Sequence, residues 1–358
     1  MKLFREYTNY ISKLKEQKSD ILRDIEQLFE ENTPVAKVGN NTKGVLHEIL
    51  VGKHMLSSKH MKNHEGKTGE TPTQMHDRLK KTMHPDDYKK INKRAKATAK
   101  HIKTHIESQG HTVHDVHWTS KPGDLHKSTG IHASQKQDAS DVVVHSKDKN
   151  GRTTHHGISL KVTDNTSKHI GVSNPGSDAM YGGHHMITAH RESLEKQHPA
   201  LKKSNATKRK AYVKSLSENE RNKIRTQNTQ ALHKVSAHVH KHLENAGTHA
   251  IAEHIKTHVL QSHKTPMQEE GHHHLRVTTH STTKTHQNKT GEEYGHHIVN
   301  PHEHYEHMLN DHQHLTAHHQ GTSVVFKHKD KIIARHQMKF NSQSDTHSSL
   351  KGNGTPAV

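Results

Sequence analysis

Cysteine is absent from the 358 residues, which excludes disulfides, thiolate zinc centres and cysteine nucleophiles. Aromatic residues make up only 3% of the chain and hydrophobic residues 27%, so one large, richly packed core is not expected. Leu, Ile, Val and Phe together fall below about a fifth of the chain, near the line at which disorder sets in when net charge is high. The few apolar residues are nevertheless clustered in patterned segments, which argues for folding. No apolar run approaches the roughly 18 residues of a membrane-crossing helix, so no membrane partner is expected. The opening M-K-L-F-R-E-Y-T lacks the apolar stretch of a secretory signal. The expected location is therefore the cytoplasm or a virus particle.

Positive charge and histidine fill the space that apolar residues leave. Lys and Arg number 54 against 36 Asp and Glu, a net charge of +18, and 46 histidines add to it as pH falls. Such a chain suits a polyanion, most simply nucleic acid, although the same charge also serves solubility. The histidines run from His47 to His347, with pairs and triplets such as His184-His185 and His272-His273-His274, but no HExxH occurs. They read as a compositional bias rather than as a specific metal centre.

Periodicity divides the chain. Ile11, Leu14, Ile21, Leu22, Ile25, Leu28 and Phe29 recur at helical spacing and give residues 1–33 as an N-terminal amphipathic helix. Residues 34–175 form the expected core. In it stand a helix over 43–56, a polar loop over 57–87, a basic helix from Tyr88 to Ser108, and strands at Thr112–Thr119, Asp141–His145 and Thr154–Val162. The Asp148, Asn150 and Gly151 cluster between the last two reads as a hairpin turn. Residues 176–270 read as a mostly helical basic insertion broken near Pro199 and Gly247. The β-rich remainder, 271–358, is expected to complete the core, with a short helix at Glu303–His318 and a loose tail from Ser342.

Chemistry concentrates in residues 136–162. Alternation on a strand turns Ile158, Leu160 and Val162 toward a core and Ser159 and Lys161 the other way, and a hairpin sets Asp141 beside Lys161. A carboxylate and a lysine so placed suit a hard cation and a phosphate.

A helix with a glutamate (G-V-L-H-E-I-L-V-G, 44–52), a strand opening on Asp141, a hairpin and a strand ending at Lys161 resembles the PD-(D/E)XK nuclease superfamily, as do V-H-W-T at 116–119 and Q-D-A-S-D-V-V-V at 137–144. The resemblance covers roughly residues 38–165. It implies a restriction-endonuclease-like α/β fold, a mixed central sheet flanked by helices. It further implies a Mg2+ (or Mn2+) ion held by Glu48, Asp141 and the Leu160 carbonyl, Lys161 as the water-positioning or charge-stabilising group, and double-stranded DNA as substrate. Gln135 and Asp138 are candidates for a supporting role. Ser159 departs from the pattern, because it stands where the family carries its second acid. Either Glu48 supplies the missing carboxylate, or the site binds DNA without cutting, as a basic packaging or virion protein would. Each residue alone also fits an ordinary role: a strand start, an edge lysine, an exposed helix position. Their order together carries the inference.

Overall fold

A computed structural model describes residues 40–56, 61–62, 69–121, 123–134, 137–163, 171–202, 205–286, 289–342 and 347–356. The amphipathic helix expected over 1–33 lies outside them.

The mixed α/β class is as expected. Helices α1 (Asn40–Met55), α2 (Pro72–Thr82) and α3 (Pro85–Ser108) precede strand β2 (Thr112–Trp118), the short α4 (Asp124–Thr129), β3 (Val142–Lys147) and β4 (Thr153–Thr163). A two-residue strand β1 (Met61–Lys62) falls between α1 and α2. Then come α5 (His184–Gln197), α6 (Ala206–Ser215), α7 (Glu218–Ala246), α8 (Thr248–His254) and α9 (Pro266–Glu269). Strands β5 (His273–His286) and β6 (Lys289–Val299), helix α10 (Pro301–Asn310), and strands β7 (Leu315–Gln320), β8 (Ser323–His328), β9 (Lys331–Phe340) and β10 (Leu350–Pro356) follow. Among the described residues no helix is long and apolar enough to cross a membrane.

The first sheet has six strands in the order β1-β2-β3-β4-β5-β6. Strands β2, β3 and β4 form an antiparallel meander, β4 runs parallel to β5, and β5 pairs antiparallel with β6. The β3–β4 turn forms because the Asp148 carboxylate accepts from the amides of Asn150 and Arg152 while Gly151 takes φ 79°. Val116, Trp118, Val142, Val144, Ile158 and Leu160 make one face apolar, and α1 and α3 cover it. In α3, Ile91, Ala95, Ala99, Ile102 and Ile106 recur at three- and four-residue spacing, and the two alanines let the helices approach closely. Asp86 and Asp87 sit in its first turn, where a helix favours negative charge, and Lys43 of α1 pairs with Asp87 at 2.6 Å.

Residues 271–358 divide between two sheets. Strands β5 and β6 join the first. Strands β7 to β10 build a separate antiparallel sheet, order β10-β9-β8-β7, whose core of Val324, Phe326, Ala334, Met338 and Leu350 packs with α7 and α8. The described residues therefore hold two moderate cores and two smaller clusters, one around Leu125 and Ile131 and one around Leu194 and Leu201.

Three local expectations need correction. The loop expected over 57–87 contains α2, because Thr71 and Gln74 close a capping box, Pro72 fits the first turn, and Met75 and Leu79 bury one stripe. The helix expected over 303–318 stops at Asn310, and Leu315 onward pairs with β8 as a strand. The tail is ordered as β10: Leu350, Gly352, Gly354 and Pro356 turn inward against β9.

Candidate functional site

The meander ends in a cleft of about 450 Å³ lined by Glu48, Trp118, Asp138, Asp141 and Lys161, with Val45, Met75, Thr119, Ser120, Ala139 and Ser140. The helix glutamate, the strand aspartate and the strand lysine thus share one cavity.

They reach it from different sides. Glu48 descends from α1 on the apolar face. Lys161 leaves β4 on the opposite face, since Leu160 is the residue packed beneath α1. All three line the cleft, but only Asp141 and Lys161 stand next to each other. Asp141, one position before β3, is fixed by its own amide donating to the Ile158 carbonyl at 2.8 Å and by the Leu160 amide donating to Asp141 Oδ2 at 2.7 Å. Lys161 Nζ stands 3.9 Å from the same oxygen. A strand residue turns its N–H and C=O to the same edge, so the Leu160 carbonyl heads toward the β3 side as well.

Burial pushes the Asp141 carboxyl above its ordinary range, against the opposing pull of the Lys161 ammonium and the Leu160 amide. Glu48 Oε2 accepts the indole N–H of Trp118 at 3.0 Å. Trp118 is itself almost fully buried, so the indole aims the carboxylate. Thr119 ties the end of β2 to this corner: its amide donates to the Asp141 carbonyl at 3.1 Å and its hydroxyl to the Ser140 carbonyl at 2.6 Å.

Asp138 lines the cleft with its side chain fully buried. Burial works against its charge, but the hydrogen bonds and charge of His274 and Ser140 outweigh it and hold the carboxyl below its usual range. It bonds the Ser140 amide and hydroxyl, which makes it a brace for the turn leading into Asp141. Gln135 lies outside the described residues. Ser159 is buried and does not line the cleft; its strand neighbour on β5 is Arg276.

Two carboxylates and a carbonyl are hard oxygen donors of the kind Mg2+ or Mn2+ takes, so the donor set fits the implied ion.

Comparison with family models, curated proteins and solved structures returns no match. The nuclease resemblance therefore rests on this chain's own residues.

Two features go beyond the sequence expectations: Trp118 as an orienting group, and a second constellation, Asp115, His117 and His145, whose donor atoms all lie within 4.8 Å of one another. The signal for the second was present: D-V-H at 115–117 places an acid and an imidazole two apart on one strand face. It was masked by the abundance of histidine elsewhere.

Proposed function

We propose that the chain is a metal-dependent DNA endonuclease hydrolysing phosphodiester bonds. The observation that carries this reading is the convergence of Glu48, Asp141 and Lys161 on one cleft. Asp141 and Glu48, with the Leu160 carbonyl, would hold Mg2+, which supplies a more acidic bound water and neutralises phosphoryl charge. The chain's own groups do the rest. Lys161 offers an ammonium that orients the attacking water or pairs with a phosphoryl oxygen. The Trp118 indole and the Leu160 amide each fix one carboxylate in advance, so little reorganisation is needed when the phosphate arrives. Affinity comes from the wider surface: Lys93, Lys96, Lys100 and Lys103 form an exposed basic stripe on α3.

A second reading keeps the DNA and drops the chemistry. The observation in its favour is Ser159, buried and neutral where the nuclease pattern carries an acid. Incubating supercoiled plasmid with purified protein and Mg2+ separates the two. The nuclease reading expects nicking that disappears in Asp141→Asn and falls by about 10²–10³ in Lys161→Ala, while both variants still bind DNA in a salt-sensitive way. Nicking by Asp141→Asn at the wild-type rate overturns the site. Salt-sensitive binding without nicking by the wild type leaves the binding-only reading standing.

A further inference from the structure

The face of the first sheet turned away from α1 carries a line of acid and imidazole groups. Asp115 and His117 lie two apart on β2, both buried, and His145 on β3 is the cross-strand partner of Asp115. A bulge between Val113 and Asp115 sets this up. Regular pairing would bring His114 opposite His145; the extra residue shifts the register and puts the carboxylate there instead. Bulges that re-aim one side chain are common beside functional groups. The His117 and His145 ring centroids are 4.5 Å apart, and His155 on β4, paired with His145, adds a third ring at 4.4 Å. His155 Nδ1 is buried with no hydrogen-bond partner among the described residues.

From this geometry we propose that Asp115, His117 and His145 form a binding site for a first-row divalent transition metal of the Zn2+ type, separate from the cleft at Asp141. Two imidazole nitrogens and one carboxylate oxygen are the donors zinc takes, and they are softer than the oxygen-only set that suits Mg2+. Around a tetrahedral ion with bonds of ~2.0–2.2 Å, donors stand roughly 3.4 Å apart. The donor atoms already lie within 4.8 Å of one another, close to that spacing. Three protein ligands leave a fourth position, which water or His155 fills. Strand β1 pairs alongside Val116 and His117 and covers that edge of the sheet, so the half-exposed His145 and His155 mark the side from which an ion enters. The inference does not depend on the nuclease reading.

The test uses the full chain without an affinity tag, stripped with chelator, loaded with Zn2+ or Co2+, and dialysed against a competing chelator that removes ions from scattered surface histidines. Wild type is expected to keep one ion per chain, and Co2+ is expected to show the intense visible bands of a tetrahedral site. His145→Gln and Asp115→Asn, which preserve size, are expected to weaken retention at least tenfold. Replacing both His184 and His185 by alanine, an exposed pair elsewhere, is expected to leave it unchanged. Excess Mg2+ is expected not to displace the ion. If wild type retains no ion, if His145→Gln retains it as well as wild type, or if Mg2+ displaces it, the proposal falls. Circular dichroism of the stripped variants confirms that any loss comes from the ligands and not from unfolding.

Discussion

Glu48 meets the only tryptophan in the chain, and this gives the cleft a built-in reporter. Anything that draws the Glu48 carboxylate toward a cation stretches or breaks its bond to the Trp118 indole. Titrating Mg2+ into the protein is therefore expected to change the intrinsic tryptophan emission saturably. Glu48→Gln is expected to abolish the response without disturbing the buried ring. A wild-type titration with no change in emission argues that Glu48 takes no part in holding metal.

Ser159 stands in register with Arg276 across the seam between β4 and β5. Arg276 is buried. Its Nη2 donates to the Leu260 and Gln261 carbonyls, while Nε and Nη1 have no hydrogen-bond partner among the described residues. Burial lowers this guanidinium to about 10, a sign that its charge is poorly compensated. Neighbours in register on parallel strands share a face, so Ser159→Asp sets a carboxylate beside an under-partnered cation. The variant is expected to gain about 1–3 kcal/mol in stability, read as a raised melting temperature. A lowered melting temperature would show that the carboxylate does not reach the guanidinium.

At the scale of elements, β10 stands out because its sequence, L-K-G-N-G-T-P, has few strand formers. It is held by close approach. A Cβ on Gly354 would collide with the Ser173 hydroxyl and the Val259 carbonyl, and one on Gly352 with the His336 ring. The Ser173 hydroxyl already donates to the Val259 carbonyl at 2.7 Å, so neither partner can yield. Gly354→Ala is expected to cost about 1–3 kcal/mol and to release the C-terminal strand, seen as faster proteolysis after Phe340. Unchanged cleavage and melting would show that the contact relaxes freely.

The same strand shows what the sequence could disclose. Alternation and turn chemistry exposed β2, β3 and β4, and with them the pairing of Asp141 with Lys161, because these signals are local. The placement of β10 depends on Gly354 fitting against Ser173 and Val259, partners far away in the chain. Likewise α2 hides in a polar stretch whose decisive feature is a cap, and β7 in a histidine-rich run with helical spacing. The Asp115, His117 and His145 cluster needed a bulge to form, and a bulge leaves little trace in a sequence without knowledge of the partner strand.

At the scale of the whole molecule, histidine substitutes for the missing apolar residues. His47, His156, His254 and His336 are buried. Burial, reinforced by neighbouring rings, lowers His156 to about 3; burial, with His258 nearby, does the same for His336. Burial also holds His47 and His254 well below the ordinary range. His254 sits between the Tyr181 hydroxyl at 2.7 Å and the His336 ring at 3.0 Å, a network built for neutral imidazoles. The unfolded chain protonates these groups near pH 6.5, whereas the folded chain resists. The stability they contribute is therefore complete above about pH 6.5 and is lost as pH falls toward the depressed folded values, at about 1.4 kcal/mol per group and pH unit. Denaturant midpoints measured at pH 7.5, 6 and 5 are expected to fall steeply in the last interval. Equal midpoints would show that water or motion lets the buried rings protonate at no cost.

The parallel seam between β4 and β5 also bears on biosynthesis. His155 and His272, which meet across that seam, are 117 positions apart, and the intervening chain is mostly helix. A ribosome delivers the meander carrying Asp141 and Lys161 long before it delivers the strand that covers the edge of β4. Until then that edge offers unpaired amides and carbonyls to any other nascent chain. Long-range parallel pairing is also slow to close. The N-terminal half made alone should accumulate as aggregates, and co-expression of the C-terminal half should return it to solution.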